Sequence, residues 1–496
     1  MYILGIDLGT SSLKGLVMDR NGTIQGAASE DYPLLQPEAG FSEQDPKDWI
    51  QACGQVIEEL AEKVPDFTQK LEGISFSGQM HSLVVLDEAN QPLRNAILWN
   101  DVRTTKECEE IMENFGDRLL EITNNRALEG FTLPKMLWLQ ENEPELWSNV
   151  RHVLLPKDYL GFWLTGNQQM DYSDAAGTLL LDMERKTWSE ELLQTFHISP
   201  KILPPLVSST TCIGSVRKEL AEQFGFHKEV KVFAGGADNA DNACAALGAG
   251  IIQDGAAMVS IGTSGVFLSY EKNNQKSYEG KLHLFHHAIN DAYYSMGVTL
   301  AAGHSLNWFK KTFAKGLSFD ELLQGIEKIE PGSNGLLFTP YLSGERTPYA
   351  DSQIRGSFIG MDTRHTLSHF TRAVLEGITF SLKDSQQLME ELASRRFTRI
   401  VSVGGGAKNL AWLQIQADIF DATVYCLSVE EGPALGATMI AALGLGWFDT
   451  PESCCQTFIQ YTDAVEPLSQ NVEKYRKIYQ QYRKIYPATK EICHNL

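Results

Sequence analysis

An α/β protein built from two related lobes is what this sequence predicts, on three observations. Strand-like and helix-like segments alternate from the start: residues 3–7, 13–18 and 23–28 read as strands, 46–61 as an amphipathic helix and 71–77 as a strand again. A short unit, Ile6-Asp7-Leu8-Gly9-Thr10-Ser11-Ser12, returns half a chain later as Val259-Ser260-Ile261-Gly262-Thr263-Ser264-Gly265, each copy preceded by apolar residues and followed by another strand. At 496 residues the chain also exceeds what one hydrophobic core usually holds.

The first three strands are joined by the glycine-bearing loop at 9–12 and by Asp19-Arg20-Asn21-Gly22, whose Asn-Gly pair signals a tight turn. An antiparallel meander therefore opens the protein. The repeated unit reads as an ancient duplication in preference to chance similarity of a short motif. A polar helix-like segment ends at Gly225 and a new strand starts at 230, which places the lobe boundary there: a first domain at 1–229, a second at 230–465 and a helical segment at 466–496. In that last segment, residues 471–486 carry apolar and aromatic side chains at helical spacing, the pattern of a surface helix packing on one lobe.

The 42 basic and 63 acidic residues leave a net charge of −21, which repels phosphate backbones and anionic lipid, so neither nucleic acid nor membrane is an expected partner. A small ligand fits better, and an anionic one would need local backbone N–H groups and a metal ion against the global field. The eight cysteines are scattered without a CxxC pair, as expected of reduced thiols, and the vicinal Cys454 and Cys455 read as packing residues. With no basic leader and no apolar run of spanning length, the expected location is cytoplasmic.

Five glycine-rich or polar segments are candidate sites. Asp7 ends an apolar strand before Leu-Gly-Thr-Ser-Ser, so its carboxylate either holds Mg²⁺ beside phosphates cradled by the loop or simply caps the turn. Gly262 and Thr263 offer a second phosphate-sized nest in which Ser260 replaces the acid. Val401-Ser402-Val403-Gly404-Gly405-Gly406-Ala407-Lys408-Asn409 lacks both the GxGxxG and the P-loop spacing, yet presents a flat surface for an adenine or ribose, unless its glycines serve close packing of helix on strand. Asp238 follows a strand and two glycines and precedes a small-residue helix at 240–250. It is either an N-cap or a carboxylate held at a cleft to take a proton from a substrate hydroxyl. Gln79, Met80 and His81, with Trp99 of Leu98-Trp99-Asn100-Asp101, form a polar and aromatic set suited to sugar hydroxyls, or a satisfied histidine and a core tryptophan.

Together these residues resemble the FGGY carbohydrate kinases. Both of that family's signatures are present: Gly130-Phe131-Thr132-Leu133-Pro134-Lys135 running on to Asn142, and Gly356-Ser357-Phe358-Ile359-Gly360-Met361 followed by His369-Phe370-Thr371-Arg372-Ala373-Val374-Leu375-Glu376. Similarity to the family's xylulose-phosphorylating branch extends through Ser42-Glu43-Gln44-Asp45-Pro46, Leu155-Pro156-Lys157-Asp158-Tyr159, Ser173-Asp174-Ala175-Ala176-Gly177-Thr178 and Leu342-Ser343-Gly344-Glu345-Arg346-Thr347-Pro348, and covers nearly the whole chain. The resemblance implies an actin-like (ribonuclease H-like) two-lobe ATPase fold of duplicated mixed-sheet domains, with ATP and sugar in the cleft between them. It implies Asp7 and Asp238 as catalytic groups that also serve Mg²⁺, and Gln79, Met80, His81, Trp99, Asp238 and Asn239 around the sugar. Gly9, Thr10, Ser11, Lys14, Gly262, Thr263, Gly405, Gly406 and Asn409 fall on the nucleotide side. The partners implied are a small-molecule sugar and ATP, with a homodimer as an allowed assembly. D-xylulose is the sugar expected. Ser82 after the histidine and Ala237 before Asp238 depart from the pattern, and Met80-His81-Ser82 is shared with the gluconate branch, so gluconate and ribulose stay as alternatives beside a non-catalytic ATPase switch or sugar sensor.

Overall fold

The computed structural model describes residues 1–238, 242–274, 278–393, 395–429, 431–462 and 464–496. The expected meander is formed by β1 (Tyr2–Leu8), β2 (Ser12–Asp19) and β3 (Ile24–Asp31), paired antiparallel so that Leu4 faces Val17 and Asp7 faces Lys14. The turn between β2 and β3 needs Gly22, whose φ of 77° is strained for any residue with a Cβ. Asp45 caps α1 (Pro46–Lys63) by accepting the Lys47 N–H, and the helix buries Trp49, Val56 and Leu60 beneath the sheet. Truncating a buried tryptophan such as Trp49 costs about 3–5 kcal/mol. β4 (Leu71–Gln79) then returns parallel to β1, with Asp7 opposite Ser77.

Three later strands finish this sheet: β5 (Cys212–Ser215), β6 (Lys231–Phe233) and β7 (Gly236–Asp238), giving the order β5-β6-β4-β1-β2-β3 with β7 also beside β4. The division expected at 229/230 therefore falls inside the first sheet, because β6 and β7 hydrogen-bond in parallel to β4. Sequence-local cues mark where a strand starts and carry no information about which sheet it joins.

After α2 (Ala243–Gly248) the second sheet forms from β8 (Ala256–Ile261), β9 (Gly265–Glu271), β10 (His283–His286) and β11 (Tyr293–Thr299). The 27-residue α3 (Leu367–Ala393) leads to β12 (Arg399–Gly404), α4 (Leu410–Phe420) and β13 (Thr423–Cys426). The order is β10-β11-β9-β8-β12-β13, in which β8 pairs antiparallel with β9 and parallel with β12. This repeats the relation of β1 to β2 and β4, so the duplication read from two seven-residue motifs is visible as a duplicated topology. α5 (Gly432–Gly444) brings the chain back under the first sheet, where a Cβ on Gly5 would lie 2.4 Å from Ala434 O. α6 (Ser469–Tyr482) packs on α3 as expected, with Tyr475 and Tyr479 donating to Glu376 and Asp384 at 2.7 and 2.6 Å. All eight cysteines are free thiols. Among the described residues no helix is long and apolar enough to cross a membrane.

Candidate functional site

The C-terminal ends of β1, β4 and β7 place Asp7, Gln79 and Asp238 on one face, because Asp7 is level with Ser77, Asp238 is level with Gln79, and residues two apart share a face. Asp7 Oδ1 accepts from Ser77 Oγ at 3.2 Å, and burial pushes its carboxyl up to about 6 against the opposing pull of Ser77 and Lys14. A buried carboxylate with one hydrogen-bond donor fits a hard divalent cation, which favours the ionised form. In the loop that follows, the N–H groups of Thr10 and Ser11 have no acceptor among the described residues. The loop itself is braced from behind: Gly9 O accepts from Tyr32 Oη and Gln79 Nε2, Thr10 O from Gln44 Nε2, and Thr10 Oγ1 from Trp99 Nε1 at 3.0 Å.

Gln79 is thus a brace. Both amide protons are engaged, by Gly9 O and Gln44 Oε1, and the side chain is 2 % exposed, so it supports the Gly9 loop from below. Lys14, expected on the nucleotide side, pairs its ammonium with Glu431 of the segment that enters α5. Met80 is fully buried, its N–H donating to Asp238 O and its sulfur accepting from Asn242 Nδ2, which ties the two strand ends together.

His81 and Trp99 do meet in a cavity of about 200 Å³, which Asp101, Glu129, Phe131, Asn242, Ser264, His283 and Arg346 also line. His81 Nδ1 lies 2.7 Å from Gly177 O; a carbonyl only accepts, so the proton sits on Nδ1 and Nε2 is left as an acceptor. Burial pushes this imidazole down to about 3, so it stays neutral. Trp99 is fixed at both ends by Thr10 and by Ser82 Oγ, which accepts its backbone N–H at 3.0 Å. The loop after it is held by Arg103, whose guanidinium binds Asp101 and Glu43 at 2.7 Å and stacks 3.7 Å above Phe41.

Asp238 makes the capping contact that one of its readings expected. It is 1 % exposed, and its Oδ2 accepts the Ala245 N–H at 2.8 Å, so it orders the start of the short α2 while standing at the end of β7 beside the cleft. Behind it Ala237 N–H donates to Ser173 Oγ, which donates to Asp171, one of three buried carboxylates around Lys157. This buried quartet was not singled out in the sequence, although two of the quoted motifs contain three of its members. Asn239 lies outside the described residues.

A larger cavity, about 470 Å³, opens on the second lobe between Ile261, Gly262 and Thr263 on one wall and Gly405, Lys408 and Asn409 on the other, with Phe319, Leu323 and Trp412 as apolar lining. The N–H groups of Thr263 and Ser264 have no acceptor among the described residues, as in the first loop. The two expected glycines separate here. A Cβ at Gly405 would find only Ile261 O at 3.4 Å, whereas one at Gly406 would run into the Ile261 side chain at 2.5 Å, so Gly405 faces the cavity and Gly406 is a packing glycine. Asn409 caps α4 through Trp412 N–H, leaving its amide nitrogen toward the cavity side. Lys408, His304 and Asn307 are lining residues that the sequence reading missed; only Lys408 stood in a motif already under scrutiny.

Comparison with known proteins matches residues 2–248 to the N-terminal domain and 257–445 to the C-terminal domain of the FGGY family of carbohydrate kinases. The chain is 57 % identical over 496 residues to a xylulose kinase of Lactococcus lactis, covering 100 % of this chain and 98 % of that one. A crystal structure of a xylulose kinase from Brucella ovis superposes with a TM-score of 0.93 at 36 % identity, covering 99 % of this chain and 100 % of that one. A gluconate kinase structure from Lactobacillus acidophilus reaches the same TM-score at 28 % identity, covering 98 % of each chain.

Proposed function

Because this chain belongs to the FGGY family of carbohydrate kinases, we propose that it transfers the γ-phosphoryl group of ATP to the terminal 5-hydroxyl of D-xylulose, giving D-xylulose 5-phosphate. The full-length identity to the Lactococcus enzyme supports the sugar. The position of Asp238, between the smaller cavity and the Asp7 loop on one sheet face, carries the chemistry.

In this reading the sugar occupies the smaller cavity, where His81 Nε2 accepts from a hydroxyl and Trp99 covers a face of the chain. ATP occupies the larger cavity, its adenosine against Gly405 and Asn409, and its phosphates reach the free N–H groups of both loops. Asp238 takes the proton from the attacking hydroxyl as the O–P bond forms, and its anchoring to Ala245 N–H keeps the accepting oxygen in place. Asp7 would hold Mg²⁺, which when bound neutralises phosphate charge. The resemblance also gives Asp238 a share in holding the metal beside its role as base, with the backbone N–H groups of Asn242 and Ala245 orienting its two oxygens. Closure of the lobes excludes water from the transfer. The enzyme is placed in the cytoplasm, where ATP is available.

Gluconate is the second reading, supported by Met80-His81-Ser82 and by the gluconate kinase structure. An ADP-release assay with D-xylulose, D-ribulose, D-gluconate and no sugar decides between them. D-xylulose should lead in kcat/KM by on the order of tenfold or more. A lead for gluconate contradicts the assignment, and ATP turnover without sugar points to a switch.

A further inference from the structure

Arg346 has no part in the account so far. It sits in the loop that follows Gly344, and both neighbours are fastened to the core of the second lobe. Glu345 Oε1 accepts the N–H groups of Leu300 and Arg346, its Oε2 accepts from Thr299 and Ser381, and Thr347 exchanges two hydrogen bonds of 3.0 Å with Val298. The backbone is therefore fixed on either side of Arg346, while among the described residues its guanidinium makes no hydrogen bond or ion pair, and the residue lines the wall of the smaller cavity. Protein surrounds it closely enough for burial to pull its pKa below the usual arginine value, and its charge bears on both His81 and His283. Two other cations near this cavity are engaged, Arg103 by Asp101 and Glu43, and Lys135 by His81 O and Gly130 O.

A guanidinium on an anchored backbone, with no partner among the described residues and facing a ligand cavity, is a donor that a ligand acceptor can satisfy. The polar groups offered by the first lobe are of the other kind, with His81 Nε2 able only to accept. A 2-ketopentose forms a ring only through O5, so a sugar whose 5-hydroxyl is free to be phosphorylated is open-chain and carries a free ketone. That oxygen accepts and cannot donate. We infer that Arg346 is the second lobe's sugar ligand, donating to the C2 carbonyl oxygen of the open-chain ketose, and thereby a determinant of ketose over alditol. No bond is made or broken in this contact. Because a lobe-two side chain completes the pocket, the sugar itself joins the lobes before transfer.

The inference rests on the proposed function, and its test separates the two. Wild type, Arg346→Met and Arg346→Lys are assayed for ADP release with D-xylulose and with its reduction product xylitol, and the KM for ATP is read in the same runs. If wild type turns over neither sugar, the functional reading falls and takes this one with it. If wild type prefers D-xylulose, Arg346→Met should lose on the order of 100-fold in kcat/KM for the ketose, most of the preference over xylitol, and none of its affinity for ATP. Arg346→Lys, which keeps charge and fold but not the planar fork, should lose on the order of tenfold with the same narrowing of preference. Unchanged ketose kinetics, or equal losses on both sugars in Arg346→Lys, overturn the assignment.

Discussion

The two glycine loops descend from one unit and have been put to different uses. Each joins an antiparallel strand pair, closes with a 3.0 Å hydrogen bond from its first glycine (Gly9 N to Ser12 O, Gly262 N to Ser264 O), and leaves two N–H groups free. The first is braced by Tyr32, Gln44, Gln79 and Trp99 and carries Asp7 opposite Lys14. In the second, Ser260 stands opposite Val266, Gly262 and Thr263 are exposed, and the support comes from backbone bonds of Gly303 and His304. Duplication supplied two turns of the same size; the side chains behind them made one a braced, charged floor and left the other exposed.

If this difference is functional, mirrored substitutions should give unequal results. Asp7→Asn removes the carboxylate that would hold Mg²⁺ and should lower kcat by on the order of 1,000-fold in steady-state assays, whereas Ser260→Ala should leave kcat within about twofold. Equal effects would break the comparison. Asp7→Asn should also stabilise the metal-free protein by about 2 kcal/mol at pH 8, seen in urea unfolding, since a carboxyl pushed up to about 6 is costly to hold ionised. The sign follows from the raised value: the folded state binds this proton before the unfolded state does, so wild type regains the difference as pH falls through 6 toward 4. In the same range protons compete with the metal, and the Mg²⁺ concentration for half-maximal activity should rise about tenfold per pH unit below 6.

On the nucleotide side, Gly406→Ala should cost about 1–3 kcal/mol of stability through its clash with Ile261, while Gly405→Ala should spare stability and raise the KM for ATP. The reverse pattern would exchange their roles. Smallest of all, Thr10→Val removes the acceptor of Trp99 Nε1 and should raise the sugar KM by roughly fivefold without moving that for ATP, and Thr263→Val should leave the sugar KM unchanged, because among the described residues its hydroxyl makes no hydrogen bond.

How much of this was legible in the sequence depended on how local the cause was. The β1-β2-β3 meander, α1 and β4 followed from alternating burial, the Asn21-Gly22 turn and the Asp45 cap, all set by near neighbours. The 230 boundary failed because membership of β6 and β7 in the first sheet is a long-range pairing with β4. Asp7, His81, Trp99 and Asp238 were singled out by their place at strand ends and beside glycines, a local signal. Gln79 looked like a ligand because an amide does not declare which way it points, and Gly406 looked like Gly405 until Ile261 distinguished them. Lys157 with its three carboxylates, and Arg346 in its open cleft, acquire meaning only from what surrounds them.

The central claim, proton abstraction by Asp238 during phosphoryl transfer to D-xylulose, is tested most directly by single-turnover ADP formation in Asp238→Asn, alongside equilibrium binding of the sugar. Asparagine can still accept the Ala245 N–H, so the fold at α2 is retained. The account predicts a transfer rate lower by on the order of 1,000-fold with sugar affinity kept within a few-fold. Transfer at near wild-type rate would contradict it.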